Sequence, residues 1–172
     1  KSRTAFIDIL KKMGGKIKIK KTKTVSGEDV GDIHVSYSLL NAVKIKASSS
    51  PYLIDEYPIL SIAASQAKGV TVMKGLSELR HKESYRIKSI TTNLSKIGFK
   101  VISKNDGISI KGSNELKVIN QKKIKTYGDH RIAMSFTILS LLYKNKLIID
   151  DDSCISISYP DFKKHLKKLS TH

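Results

Sequence analysis

The sequence predicts an α/β (α+β) fold of repeated helix–strand units, and three observations support this prediction. Apolar stretches of helical length alternate with short β-rich runs, which is the pattern of helices packed on sheets. A segment that begins at Asp55 is similar to a later segment that begins at Asp129. The 172 residues, 40% of them hydrophobic, suit one domain with a substantial core. We therefore expect units of about 70 residues in the order helix, strand, helix, strand, strand, with apolar helices buried at the centre.

The N-terminal stretch resembles the end of an earlier unit. Residues 6–13 predict a helix that ends at Gly14-Gly15, since glycine is the usual residue after a helix C-terminus. Residues 17–19 predict a strand in which Ile alternates with Lys. No apolar helix and strand precede them, so we expect this unit to be truncated at its start.

The middle of the chain contains a complete unit. Gly98 marks the end of its second helix, and Asn105-Asp106-Gly107 is a strong hairpin signal because such residues accept turn conformations. The predicted elements are an apolar helix after Asp55, a strand at residues 70–73, an amphipathic helix at residues 85–97, and hairpin strands at residues 100–104 and 108–111.

The last part of the chain repeats the pattern. An apolar helix of about a dozen residues follows Asp129. Residues 147–149 predict a strand, and residues 160–169 predict an amphipathic helix that Pro160 opens. The longest apolar run, residues 132–143, is shorter than the roughly 18 residues that a membrane span needs.

The net charge of +17 permits two interpretations, a polyanion partner such as nucleic acid or a lysine-rich surface around a site for small anions. Lysines are dispersed, and they take the exposed positions in residues 16–21 and 163–168. The sequence contains no RNA-recognition aromatic motif and no zinc-finger spacing, so we favour the second interpretation. Cys154 is the only cysteine, which excludes an internal disulfide and fits a reducing cytoplasm. It is given no role.

Residues 79–86 form the first segment with candidate chemistry. Lys82, Glu83 and Arg86 lie where a helix begins, and a helix N-terminus with basic residues binds anions. A glutamate between two cations suits proton transfer near a bound phosphate. The alternative is an ordinary charged helix start, in which Glu83 favours the helix dipole. Spacing alone favours this alternative, because short charged motifs often match by chance.

Two more segments place polar residues before the apolar helices. Asp129, His130 and Arg131 precede one helix, and Asp55 precedes the other. Both aspartates could be helix N-caps, and His130 could be a core histidine. Arg131 points more strongly to a site, because a buried arginine needs an anion.

Four runs together resemble the 5-enolpyruvylshikimate-3-phosphate (EPSP) synthase family, in that family's order and near its spacing. The run at residues 158–162 is similar to the family's Ser-Phe-Pro-x-Phe. Residues 27–30 and the Asp-Glu-Tyr-Pro form resemble the bacterial class that includes glyphosate-tolerant enzymes. The resemblance extends from about residue 3 to about residue 169. The runs are Ile54-Asp-Glu-Tyr-Pro-Ile-Leu, Glu78-Leu-Arg-His-Lys-Glu-Ser-Tyr-Arg, Asp129-His-Arg-Ile-Ala-Met and Ser158-Tyr-Pro-Asp-Phe162.

The resemblance implies an enolpyruvyl-transferase-like fold of βαβαββ units around buried parallel helices. The family has two such domains with the active site between them. Residues 1–172 would be most of the second, C-terminal domain, with its first unit truncated and the first domain absent. The implied enzyme is a cytoplasmic transferase of the shikimate pathway. It needs no metal or cofactor, and its partners are phosphoenolpyruvate, shikimate 3-phosphate and the missing N-terminal domain, with no membrane or nucleic acid.

The resemblance also implies a role for each site residue. Two carboxylates would be catalytic, and the cations would bind the anionic substrates. In the implied reaction the 5-hydroxyl of shikimate 3-phosphate adds to phosphoenolpyruvate, and phosphate is then eliminated. The assignments are Asp55 for the shikimate hydroxyls and as proton acceptor, Lys82 beside both substrates, Glu83 for proton transfer to the phosphoenolpyruvate methylene, Arg86 and Arg131 for binding phosphoenolpyruvate, and His130 lining the same site.

Three departures from the family pattern bear on activity. Tyr85 stands where aspartate is usual, and Ile157 stands where some members have a lysine. The first domain is missing, so we expect this chain alone not to catalyse the reaction. Two other interpretations remain open, a UDP-N-acetylglucosamine enolpyruvyl transferase and a non-catalytic, lysine-rich domain that binds anions or nucleic acid.

Overall fold

The computed structural model describes residues 4–104, 106–115, 120–144 and 146–170. The helices are α1 (Ala5–Lys12), α2 (Tyr57–Ser65), α3 (Arg86–Ile97), α4 (His130–Leu142), α5 (Ser153–Ser158) and α6 (Phe162–Ser170), with 3₁₀ turns at Ala47–Tyr52 and Ser77–Arg80. The strands are β1 (Lys16–Val25), β2 (Glu28–Ser36), β3 (Leu40–Asn41), β4 (Lys44–Ile45), β5 (Ala67–Lys74), β6 (Lys100–Lys104), β7 (Gly107–Gly112), β8 (Lys122–Ile124) and β9 (Leu147–Ile149).

A mixed sheet in the order β3-β5-β7-β6 forms the largest β-structure, and β4 also pairs with β5. The strands β3 and β4 run parallel to β5, whereas β7 runs antiparallel to both β5 and β6. A parallel pair, β8 and β9, and an antiparallel ribbon, β1 and β2, complete the strands of the described residues. The fold is therefore α/β with a mixed sheet, as the sequence predicts.

The core is centred on α2 and α4, which pack against each other. Tyr57 and Leu60 of α2 and Ile132 and Phe136 of α4 are almost completely buried. Polar Ser61 is also buried in α2, where its hydroxyl donates to the carbonyl of Tyr57 at 2.7 Å. This burial confirms the prediction of apolar helices at the centre. It also holds in place the segments that precede α2 and α4, which contain Asp55 and Asp129.

Most predicted helices and strands lie where the sequence places them. The helix predicted at residues 85–97 is α3, and Gly98 follows it with a left-handed φ of 102°. The predicted strand 147–149 coincides with β9, and the predicted hairpin is β6 and β7. Asn105 of its predicted turn lies outside the described residues. Residues 57–112 follow the order helix, strand, helix, strand, strand.

The structure differs from the prediction at several places. The last helix begins at Phe162 rather than at Pro160, because the chain first forms the short helix α5. The sequence analysis also missed the strands β2, β3, β4 and β8. Of these, β2 pairs with β1 along its whole length. A register shift between Lys21 and Lys23 interrupts the alternation that would reveal the hairpin. No helix in the described ranges is long and apolar enough to span a membrane.

Packing between α2 and α4 can be tested with Phe136→Ala. Phe136 is fully buried, so its truncation should lower the free energy of unfolding by about 3–5 kcal/mol. Leu141→Ala is the matched control on the same helix, because Leu141 is 47% exposed and should cost about 1 kcal/mol or less. Urea denaturation measures both, and equal losses would contradict the observed packing.

Candidate active site

Three helices begin at one point of the domain. Asp55 lies two residues before α2, Arg86 is the first residue of α3, and Asp129 is the N-cap of α4. The guanidinium of Arg86 contacts Asp55 at 3.0 Å and Asp129 at 2.8 Å. Because helix N-termini carry partial positive charge, their meeting point favours anions.

Arg86 lies at the centre of this cluster and is completely buried. Its Nε donates to Asp129, its Nη1 donates to Asp55, and its Nη2 donates to Glu83. Burial by itself would lower the pKa of Arg86, but the three carboxylates outweigh burial and raise it. A buried arginine would cost several kcal/mol without such partners, so the carboxylates are required by the fold.

Asp129 uses both oxygens of its buried carboxylate. Oδ1 accepts from the backbone N–H of Arg131 at 2.9 Å and of Ile132 at 3.3 Å, as an N-cap does. Oδ2 accepts from Arg86 at 2.8 Å and from the Ser84 hydroxyl at 3.0 Å. Burial alone would raise the pKa of Asp129, but Arg86, Ser84 and the Arg131 amide lower it overall. The predicted capping role of Asp129 is confirmed.

Asp55 is surrounded by cations rather than capping a helix. Its Oδ1 lies 3.0 Å from Arg86 and 3.5 Å from Lys82, and its Oδ2 lies 3.6 Å from Arg131. Burial would raise the pKa of Asp55, but Arg131, Arg86 and Lys82 together lower it. Glu56 is the N-cap of α2, without a side-chain capping bond, so the capping interpretation of Asp55 is wrong.

The site is partly open to solvent. The side chains of Asp55 and Lys82 are each 29% exposed, and those of Arg131 and Glu83 are 30% and 50% exposed. A cavity of about 210 Å³ adjoins Asp55 and Arg131. Its other lining residues are Glu56, residues of α2 and α4, and Phe162 of α6. A larger cavity of about 500 Å³ lies against β5, β6 and β7, away from this cluster. We assign the site by its charges, because the larger cavity contains no predicted site residue.

Five of the six predicted site residues thus belong to one contact network. His130, the sixth, is the first residue of α4 and is partly buried beside Arg131. Their roles toward substrates stay predictions. Within the described ranges, no group of three or more His, Cys, Asp or Glu side chains is arranged to hold a metal ion.

Two further residues brace the site, and the sequence analysis missed both. Asn93, buried in α3, donates to the Lys125 carbonyl at 2.8 Å and accepts from its N–H at 3.0 Å. Asp150 accepts from the N–H and hydroxyl of Thr126, at 2.9 and 3.0 Å. Together they fix the segment that leads to Asp129. A polar residue on the apolar face of an amphipathic helix is the signal that could have identified Asn93.

The two residues that depart from the family pattern, Tyr85 and Ile157, have different surroundings. Tyr85 is the N-cap of α3 and makes no side-chain capping bond. Its ring lies 5.7 Å from the guanidinium of Arg80, within cation–π range. Ile157 lies in α5 and is 85% exposed. Tyr85 therefore belongs to the same segment as the site, whereas Ile157 contributes an apolar surface group.

The fold alone is similar to that of an enolpyruvyl transferase, NikO from Streptomyces tendae. That structure matches 97% of this chain and 35% of its own, with a TM-score of 0.65 and 19% identity. A sequence model of the family EPSP synthase (3-phosphoshikimate 1-carboxyvinyltransferase) matches residues 1–166, and the chain therefore belongs to this family. The class is thus an enolpyruvyl-transferase fold, and the family within it is EPSP synthase.

Individual relatives agree with this assignment. The 3-phosphoshikimate 1-carboxyvinyltransferase of Petrotoga mobilis is 44% identical over 98% of this chain, and that of a Sulfurihydrogenibium species is 43% identical. An EPSP synthase structure from Acinetobacter baumannii has a TM-score of 0.88 and 33% identity over 97% of this chain. The chain spans about 38% of the length of the curated relatives that it matches.

The carboxylates of the cluster predict acid sensitivity. Asp55 and Asp129 have lowered pKa values in the folded chain, so the unfolded chain takes up protons first as the pH falls. The stability that these two carboxylates contribute should therefore be fully present above about pH 5. The free energy of unfolding should decrease as the pH falls to about 4, where ordinary carboxylates titrate, and below. Urea denaturation at several pH values measures this loss, expected to be on the order of 1–3 kcal/mol.

Asp129→Asn should remove part of this pH dependence, because the variant lacks one of the two responsible carboxylates. Phe136→Ala is the control, since it lowers stability at every pH without changing a titratable group. A pH dependence equal in the unsubstituted chain and in Asp129→Asn would contradict the proposed origin of the acid sensitivity.

Proposed function

We propose that this chain forms one wall of the active site of a 3-phosphoshikimate 1-carboxyvinyltransferase. The reaction transfers the enolpyruvyl group of phosphoenolpyruvate to the 5-hydroxyl of shikimate 3-phosphate and releases phosphate. One observation carries the proposal: Asp55 lies within 3.6 Å of three cationic side chains, where three helices begin. The family relationship adds support, and both substrates are anions that such a site attracts.

Lys82 and Arg131 are the cations best placed to receive substrate. Both are partly exposed, and both pair with Asp55. When substrate phosphate or carboxylate groups bind Lys82 and Arg131, these cations stabilise the ionised form of Asp55 less strongly. The pKa of Asp55 then rises from its lowered value, which makes this carboxylate a better proton acceptor for the 5-hydroxyl.

Proton transfer at phosphoenolpyruvate falls to Glu83 in this proposal. Its carboxylate is half-exposed and held by Arg86, so it lies at the open side of the cluster. The 5-oxygen bonds to C2 while C3 gains a proton, which gives a tetrahedral intermediate. Elimination then removes a proton from C3 as the bond between C2 and the phosphate oxygen breaks. Positioned cations that neutralise the phosphate assist both steps.

The chain accounts for little more than a third of the relatives' length, about 38%. We infer that residues 1–172 are most of the second domain of a two-domain enzyme. The first domain would complete the phosphate pocket, and the enzyme would act in the cytoplasm on its two small substrates. In this proposal the chain alone binds shikimate 3-phosphate but does not turn over.

A titration of the isolated chain with shikimate 3-phosphate tests binding. NMR shifts should concentrate at Asp55, Lys82 and Arg131, and Lys82→Met should weaken binding at least tenfold, a loss of about 1.4 kcal/mol. Lys163→Met is the matched control, because Lys163 is exposed on α6 and pairs with Asp152. Broad shifts with RNA that vanish as salt increases, without shifts from shikimate 3-phosphate, would instead favour a nucleic-acid-binding domain.

Catalysis can be tested in a hybrid enzyme, in which this chain replaces the matching segment of the Petrotoga mobilis relative. Phosphate release with both substrates should occur in the hybrid and be absent in the isolated chain. Asp55→Asn should lower kcat by about 10²–10⁴-fold, since it removes a proton acceptor. Asp152→Asn removes an exposed carboxylate and should leave kcat unchanged. A folded hybrid without turnover would refute the proposed function.

A further inference from the structure

We propose that Asp129 is a positioning residue that holds the guanidinium of Arg86 against the start of α4. It thereby sets the spacing between Arg86 and the backbone of Arg131, the two arginines assigned to phosphoenolpyruvate. The proposal rests on the proposed function for the identity of the ligand. Its structural part is that one carboxylate links the Arg86 guanidinium to the backbone of Arg131, and this part stands on geometry alone.

The two oxygens of Asp129 reach the two arginines by different routes. Oδ1 accepts from the backbone N–H of Arg131 at 2.9 Å and so fixes the first turn of α4, from which the Arg131 side chain extends. Oδ2 accepts from Nε of Arg86 at 2.8 Å. A carboxylate is rigid and planar, so the position of the Arg86 guanidinium is tied to that of the Arg131 backbone. The Arg131 guanidinium itself is held by Asp55, whose backbone carbonyl accepts from its Nη1 at 2.9 Å.

The contact through Nε determines which edge of the Arg86 guanidinium can meet a ligand. Asp129 occupies the edge nearest the backbone, and the Nη groups point to Asp55 and Glu83. The Asp55 and Glu83 side chains are 29% and 50% exposed, whereas Asp129 is fully buried. An anionic ligand can therefore exchange with Asp55 or Glu83, while the bond to Asp129 stays in place.

A helix cap alone does not explain this residue. Serine, threonine or asparagine would cap α4 about as well. Only a carboxylate also neutralises the buried Arg86 at Nε, and charged hydrogen bonds of this kind are roughly twice as strong as neutral ones. Ser84 donates to the same oxygen at 3.0 Å and holds the carboxylate in this orientation.

Asp129→Asn separates the two roles, because asparagine retains the cap and loses the charge that holds Arg86. The chain contains only four arginines, so the Nε–Hε signals in an NMR spectrum can be assigned individually. We expect the Arg86 signal of the isolated chain to move and to exchange faster with solvent in Asp129→Asn. An unchanged Arg86 signal would overturn the proposal, whatever the enzyme assays show.

The hybrid enzyme measures the functional consequence. Asp129→Asn should raise KM for phosphoenolpyruvate at least tenfold and change KM for shikimate 3-phosphate less than about threefold, roughly 0.7 kcal/mol. Asn93→Ala is the matched control, because it loosens the same segment at Lys125 and leaves the Asp129 carboxylate in place. Equal effects of the two substitutions on both KM values would show that Asp129 acts only as a structural cap, and this result would overturn the proposal. Absence of turnover in the unsubstituted hybrid would overturn the proposed function instead, while the Arg86 signal still decides the structural part.

Discussion

The buried ion pair between Arg86 and Asp129 is the interaction on which the rest of the site depends. Both side chains are fully buried, and 2.8 Å separates their bonded atoms. Two charges removed from water are costly, and they persist only where hydrogen bonds satisfy their remaining groups. Here these bonds come from the start of α4, from Ser84, and from the carboxylates of Asp55 and Glu83. Each of these groups is therefore held in place by the pair that it helps to stabilise.

The carboxylates of this cluster neutralise its cations within the chain itself. Asp55 and Glu83 occupy the positions where an anion would meet Arg86, and Asp55 also pairs with Lys82 and Arg131. In the proposed function, an anionic substrate would exchange with these carboxylates at the cations. The free energy of such binding would be the difference between two sets of ion pairs, so geometric fit would matter more than total charge.

The sequence predicted the helices well and the contacts of the site poorly, for a physical reason. Apolar periodicity and Gly98 locate α3 to within one residue, because these signals are local. The bonds from Arg86 to Asp55 and Asp129 span 31 and 43 residues, and no local signal encodes them. Spacing therefore favoured a charged helix start for Glu83, and suggested a cap for Asp55 where Glu56 is the N-cap. The site residues were identified by resemblance to a family, whereas Asn93 and Asp150, which make no motif, were missed.

The β1–β2 ribbon shows where some of the chain's lysines lie in the fold. Within the described residues this ribbon has no third strand, and its one face carries Ile19, Ile33 and Val35, all about half exposed or more. Open strand edges beside exposed branched side chains invite copies of a chain to add to one another. Lys18 and Lys20 lie on the opposite face, where Lys20 is directly opposite Asp32 and a cation faces an anion across the two strands. These two lysines, which suggest nucleic acid at first sight, are thus solvent-exposed residues on one face of a two-stranded ribbon.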